Sequence, residues 1–314
     1  MNWDSIDWKA LERLRAAFLD ETAGDRDYWQ KETDLASYDH TFGQRIRWKW
    51  NYALADLTRR GWRPPAGIVL DWGCGSGIAS RAFLEHFGAG TTNQLHLSDR
   101  SLLAMQFAAR RVREDFPDVP VWLEPTAPAR FAMLLVSHVL TELSAAHREE
   151  LVALARCATA VIWVEPATHA VSRALIAARE QLRGAFHVVA PCTHEAACGM
   201  LATENARHWC HFFAASPPEV FTDGHWARFA KMTGVDLRSL PVSYLALDAR
   251  ATSTPPAPRR VIGTPRVYKA HASLLGCDAG GVREYQTMKR EAPDGFRRLK
   301  KGVADTYLPA RERT

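Results

Sequence analysis

The sequence predicts an α/β fold built on a largely parallel sheet. Two observations carry this reading. Short apolar runs alternate with helix-length segments between residues 67 and 183, the rhythm of strands joined by helical crossovers. A glycine-rich run, Asp71-Trp72-Gly73-Cys74-Gly75-Ser76-Gly77, joins the first strand to the first helix after it, where the chain must turn tightly. With 314 residues, 47% of them hydrophobic, the chain can bury one large core or two smaller ones.

Residues 1–60 read as a helical segment. The opening stretch MNWDSIDWKALERLRAAFLDETAGD mixes acids and bases. It lacks the apolar centre of a signal peptide and the acid-poor character of a transit peptide. Trp8, Leu11, Leu14 and Phe18 fall on one face of an amphipathic helix. Arg45–Leu57 mixes bases and aromatics before a break at Gly61 and Pro64–Pro65. Residues 61–185 form the core. Its strands are Gly67–Asp71, Gln94–Ser98, a run near Val119–Leu123, Ala132–Ser137 and Ala160–Glu165. Its helices are Ile78–Phe87, Leu102–Asp115, Ala145–Cys157 and Val171–Arg183. Residues 186–235 lose this period and are rich in Cys, His and Trp, the mark of an insertion. Residues 236–282 hold two strand-like runs, Val242–Leu247 and Arg266–Leu275, separated by the loop TSTPPAPRR. They are expected to close the sheet as an antiparallel hairpin. Residues 283–314 read as a basic tail, with seven Arg or Lys against three acids in 283–301.

Bulk properties narrow the function. No apolar run approaches the roughly 18 residues that span a bilayer, so no membrane partner is expected. The chain is expected in the cytoplasm, or in the mitochondrial matrix of a eukaryote although no transit peptide is visible, and as a monomer. The net charge of +5 permits a nucleic-acid partner without requiring one. Six cysteines without a secretory signal point away from disulfides and toward metal binding or catalysis.

The glycine run specifies a ligand class. A Gly-rich strand-to-helix turn brings a cofactor against bare backbone and the helix N-terminus, as in a Rossmann-like domain. A nicotinamide fingerprint would place its third glycine at position 78. That residue is Ile78, and the third glycine is Gly77. The acid-x-G-x-G-x-G form over Asp71, Gly73, Gly75 and Gly77 is similar to motif I of class I methyltransferases, which bind S-adenosyl-L-methionine (SAM). An acid after the second strand holds the ribose in that superfamily, and Asp99 stands about 20 residues on. Cys74 reads as a small spacer within the loop. Ser137 and His138, ending the strand AMLLVS, are expected on the methyl side of the pocket.

Four cysteines lie outside this core: Cys192, Cys198, Cys210 and Cys277. Four thiolates can hold an iron–sulfur cluster or a tetrahedral zinc. His194, His208 and His211 are close enough in sequence to replace a thiolate or support one. Ala190-Pro191-Cys192 also matches the nucleophile motif of RNA cytosine-5 methyltransferases, but it arrives one strand and one helix after the place where that motif belongs.

Several segments together resemble one family: LDWGCGSG, LSDRS, LLVSHVLTEL, WVEPATHAVSRALIAAREQL, VAPCTHEAACGM and HWCHF. The chain is similar from about residue 40 to about 290 to the methyltransferase-like assembly factors of the mitochondrial small ribosomal subunit and their bacterial relatives. The resemblance implies a class I methyltransferase sheet with a Cys-rich insertion before the last two strands. It implies a 4Fe-4S cluster on Cys192, Cys198, Cys210 and Cys277, with zinc as the alternative. It implies small-subunit ribosomal RNA as partner, during assembly or translation, and leaves catalysis open. Family members often carry proline after the first two of these cysteines, where this chain has Thr193 and Gly199. Arg45, Arg47, Lys49 and the bases of residues 283–301 are then candidates for phosphate contacts.

Overall fold

The computed structural model describes residues 3–19, 28–123, 128–250, 259–301 and 307–308. Most of the loop TSTPPAPRR and parts of residues 302–314 lie outside the described residues. Three helices lead: α1 (Trp8–Leu19), α2 (Glu32–His40) and α3 (Phe42–Arg59). The alternating core follows as β1 (Gly67–Trp72), α4 (Ile78–Phe87), β2 (Thr92–Ser98), α5 (Leu102–Asp115), β3 (Val121–Leu123), β4 (Phe131–Ser137), α6 (Ala145–Ala155), β5 (Ala158–Pro166), α7 (His169–Leu182) and β6 (His187–Ala190). Next come β7 (Phe212–Phe213), α8 (Glu219–Thr222), α9 (Gly224–Thr233) and β8 (Pro241–Asp248). The last elements are β9 (Arg259–Val267), β10 (His271–Asp278), β11 (Gly281–Met288), α10 (Pro293–Lys300) and β12 (Tyr307–Leu308).

The main sheet runs β3-β2-β1-β4-β5-β8-β6, with β7 paired to β8. Strands β1 to β5 pair in parallel. Strand β8 runs antiparallel between β5 and β6. The 3-2-1-4-5 order is Rossmann-like. The central strands are apolar on both faces, as strands covered by helices on both sides must be. Alternation sorts their side chains. Val69, Leu97, Met133, Leu135 and Ile162 pack with Trp50, Leu57, Phe83 and Val112 of α3, α4 and α5. Leu70, Leu134, Val136, Val161 and Trp163 pack with Leu151, Val152, Leu175 and Leu182 of α6 and α7.

The N-terminal helix forms as its pattern requires. Leu11 and Leu14 are buried, but they serve two clusters. Leu11 joins Phe42, Trp226 and Phe229, and Leu14 joins Trp29, Leu35 and Phe107. Among the described residues no helix is long and apolar enough to cross a membrane.

Three sequence expectations need correction. The runs expected as one closing hairpin fall in different sheets. β8 is buried along nearly its whole length and so takes a central slot in the main sheet. The second run splits at Tyr268–Ala270 into β9 and β10, which with β11 and β12 form a separate antiparallel sheet ordered β11-β10-β9-β12. Its residues favour strand on both sides of a turn that carries no Gly, Pro, Asn or Asp signal, so alternation alone reads through it. Finally, residues 283–301, expected within a basic tail, run through β11 and α10.

Candidate functional site

The carboxyl ends of β1 and β4 lie side by side where the strand order reverses. Open parallel sheets bind ligands in the crevice at such a switch point. The glycine run leaves β1 here. Gly73, Gly75 and Gly77 all have left-handed φ (+68°, +50° and +76°). A Cβ at Gly73 would lie 2.8 Å from Val139 Cγ1, and one at Gly77 would lie 3.0 Å from Ala108 Cβ. One at Gly75 would meet nothing within 4 Å. The outer glycines thus seat the loop on Val139, just past β4, and on α5, while Gly75 faces open space. The Gly73 and Cys74 amides donate to the Ser98 carbonyl at 2.8 and 3.0 Å, tying the loop to β2.

Asp71 points back into the fold. Its Oδ2 accepts from the amide (3.2 Å) and hydroxyl of Ser80 in the first turn of α4. Burial pushes its carboxyl up to about 6 against those bonds. Asp99 is turned to the loop: the Gly75 amide donates to Oδ2 and the Ser101 amide to Oδ1, each at 2.9 Å. Cys74 is buried, and burial raises its thiol well above the usual range, as suits a spacer.

At the end of β4, Ser137 Oγ accepts from Trp50 Nε1 at 2.9 Å. His138 has a φ of 57°, an uncommon conformation for a residue with a side chain. Its Nε2 lies 3.2 Å from Lys49 Nζ. Burial, with Arg45 adding repulsion, brings the Lys49 amine down to about 7. Burial and the cations Lys49 and Arg45 hold His138 well below its usual value. Beneath them Glu165 Oε1 accepts from the Val139 and Leu140 amides and from Trp163 Nε1, at 3.1, 3.2 and 2.7 Å. Burial raises Glu165 to about 7. The structure therefore brings Gly73, Ser137 and His138 together through Val139. It also corrects a surface assignment. Lys49 is buried, Arg45 points at the Asp236 and Ser239 carbonyls, and Arg47 pairs with Glu85.

Cys192, Cys198 and Cys210 of the insertion and Cys277 of β10 gather where α7, β8 and the second sheet meet. Cys192, Cys198 and Cys210 line one small cavity with Arg179 and Tyr244. Cys198, Cys210 and Cys277 pack in one apolar cluster with Ile176, Met200 and Ile262. Burial raises the thiols of Cys198, Cys210 and Cys277, and the neighbouring Cys192 adds to the rise in each. Among the described residues no group of three or more His, Cys, Asp or Glu is arranged to hold a metal ion. Polar anchors fix the segments instead. Arg60 donates to the carbonyls of Val189 (2.8 Å), Pro191 (2.7 Å) and Cys192 (2.8 Å). The Cys210 carbonyl accepts from Ser172 Oγ and Ser243 Oγ at 2.6 and 2.7 Å. Arg179, buried, donates to the His194 and Ala196 carbonyls. His194 Nε2 lies 3.4 Å from Cys277 Sγ. His211 instead packs its ring on Gly263, and His208 sits beside Arg207. Cys192 follows β6, four strand spacings from β1, or about 19 Å at ~4.8 Å each, so it lies apart from the glycine loop.

The model of the family described as mitochondrial small ribosomal subunit Rsm22 matches residues 60–307. The chain belongs to the Rsm22 family. No curated protein sequence matches it. Among solved structures it is similar to the magnesium protoporphyrin IX methyltransferase of Synechocystis PCC 6803 with bound SAM, at 13% identity and a TM-score of 0.45, covering 74% of this chain and 98% of that one. A putative RNA methyltransferase of Pyrococcus horikoshii is 13% identical with a TM-score of 0.39, covering 64% of this chain and 83% of that one. A putative methyltransferase of Haloferax volcanii, solved with the Trm112 activator, is 16% identical with a TM-score of 0.40, covering 74% and 98%.

The Rsm22 match takes in the glycine loop, Asp99, Ser137, His138 and all four cysteines. It begins after Lys49 and Trp50, which the structure adds to the site. Sequence reasoning also missed Glu165, Arg60 and Arg179. Glu165, next to last in β5, is a lone acid in an apolar run, a signal that a buried partner was needed. Arg60 and Arg179 carry no local signal, because their partners are carbonyls far along the chain. Gly199, in the place of the family's frequent proline, lies against β11: a Cβ there would stand 2.9 Å from Gly281 Cα and Val282 N.

Proposed function

We propose that this Rsm22-family chain is a SAM-binding, methyltransferase-like protein that associates with small-subunit ribosomal RNA in ribosome assembly or translation, and that Cys192, Cys198, Cys210 and Cys277 hold a 4Fe-4S cluster. The observation that carries the cofactor reading is the topological switch point. There Gly75, open on one side and with its amide on the Asp99 carboxylate, follows β1, and Ser137–His138 end the neighbouring strand β4. SAM would lie over Gly73–Gly77 with its ribose toward Asp99. The family description supports the ribosomal association.

Support for the cluster comes from donor chemistry. Four thiols reach one neighbourhood from three separate segments. Arg179 is buried beside them, paired with Glu180 through Nη1 and with its Nε without a hydrogen-bond partner. A cluster on four thiolates is anionic, and a buried guanidinium compensates such charge. With all four thiols spent as ligands, the group would be structural, pinning the insertion to the second sheet.

Two measurements test the two parts separately. Calorimetry with SAM is expected to show one site per chain, and no detectable heat would remove the cofactor reading. Anaerobic purification with metal analysis is expected to give a brown protein with iron and sulfide. A colourless protein holding one zinc would replace the cluster by the zinc alternative.

A further inference from the structure

The turn between β9 and β10 stands out on the second sheet. Tyr268 is 49% exposed. Its ring stacks on His271 with centroids 4.7 Å apart and planes 20° from parallel. The Tyr268 amide donates to the His271 carbonyl at 2.8 Å, closing the turn. The Lys289 amide donates to the Ala270 carbonyl at 2.9 Å, which fixes the end of β11 beside it. Lys269 and Lys289 are both exposed. Among the described residues neither ammonium has an acidic side chain within ion-pair distance.

We infer that this turn is a binding platform for unpaired RNA, with the Tyr268–His271 stack taking a base and Lys269 and Lys289 taking the flanking phosphates. Stacking on an exposed ring is open to any base, provided the base is not already stacked in a duplex. A rigid aromatic pair flanked by unneutralised cations is the chemistry that single strands use. A membrane surface fits less well, because among the described residues the large exposed apolar side chains of this turn are Val267 and Tyr268. The inference deepens the ribosomal reading: it rests on an RNA partner and adds which form of RNA and which residues.

Fluorescence anisotropy on the full chain tests it, using a labelled oligouridylate of about 10 nucleotides and an RNA duplex of equal length. The single strand is expected to bind more tightly than the duplex. Tyr268→Ala should weaken single-strand binding about tenfold, and Tyr268→Phe should not. The Lys269→Ala/Lys289→Ala double variant should flatten the dependence of log K on log salt by about 1.4, near 0.7 per lost phosphate contact. All three changes lie on the surface, so melting curves should match the parent chain. Equal affinity of Tyr268→Ala and the parent chain, or a preference for duplex, overturns the inference. Co-sedimentation with small subunits reads the broader association independently: if it persists while Tyr268→Ala changes nothing, the platform fails and the ribosomal reading stands.

Discussion

Gly75 and Gly77 lie two residues apart in the same loop, both at left-handed φ, and substitution by alanine should separate their roles. Placing a Cβ at left-handed φ costs about 1–2 kcal/mol, and the stiffer unfolded chain returns about 0.4–1 kcal/mol. At Gly75 nothing else is lost, because the new Cβ meets no atom within 4 Å and the amide still donates to Asp99. Gly75→Ala should therefore destabilise by about 1 kcal/mol. At Gly77 the new Cβ lies 3.0 Å from Ala108 Cβ and 3.3 Å from its Cα. Helix backbone cannot swing aside as a long side chain can, so overpacking adds about 1–3 kcal/mol. Ligand binding should show the reverse order. The methyl group of Gly75→Ala projects into the space where SAM would lie and should weaken binding at least tenfold, or about 1.4 kcal/mol. Gly77→Ala, if folded, should bind more nearly as the parent does. Urea unfolding without ligand gives the stabilities, and calorimetry gives the affinities. Gly75→Ala binding SAM as tightly as the parent would refute the cradle. Equal destabilisation by the two variants would refute the packing argument.

Three further outcomes follow from the geometry. The Lys49 amine is lowered to about 7 from 10.5, so between those values the unfolded chain binds the extra proton and stability rises with pH. Glu165, raised to about 7, works in the opposite sense, its contribution being lost as pH rises toward 7. Lys49→Met isolates the first effect: its stability advantage over the parent should be greatest at pH 7 and below and should shrink toward pH 10, and a constant gap would contradict a depressed amine. Arg60→Ala removes donors to three carbonyls around Cys192 and should cost about 2–4 kcal/mol in urea unfolding. Arg60→Lys should recover less than half, since one ammonium cannot reproduce the fork, and full recovery would assign the loss to charge alone. Leu14→Ala, at a fully buried site between Trp29 and Phe107, should cost about 2–5 kcal/mol, and a cost near zero would mean α1 is not docked in solution.

The sequence was most legible where local pattern and burial agree. The apolar runs of β1, β4 and β5 are buried on both faces, so a parallel sheet was readable from composition. The glycine loop was readable because its turn needs particular residues in a particular order. β6 was not, since HVVA is four residues long and its place beside β8 depends on a strand some 50 residues later. The phosphate assignment of Lys49 failed for a related reason. Charge on a helix reads as surface unless the residue that covers it is known, and here the cover is His138, far along the chain. The cysteines were countable, but nothing local to them announces Arg60 or Arg179.

Helix α3 binds these two kinds of site into one structure. Near its middle, Lys49 and Trp50 meet His138 and Ser137 at the end of β4. About 16 Å further along, at 1.5 Å per residue, Arg60 grips the carbonyls around Cys192. Between them Asp56, 1% exposed, accepts from Tyr244 of β8 at 2.6 Å, from Arg260 of β9 at 3.2 Å and from Arg60 at 3.1 Å. A carboxylate this buried is stable only while its donors stay in place. Arg260 in turn pairs in register with Cys277. One acid thus fixes the main sheet, the second sheet and the cysteine-bearing strand relative to α3. The cysteine neighbourhood cannot shift far from α3 without uncovering Asp56, while Lys49 and Trp50 of the same helix hold the strand end at Ser137–His138.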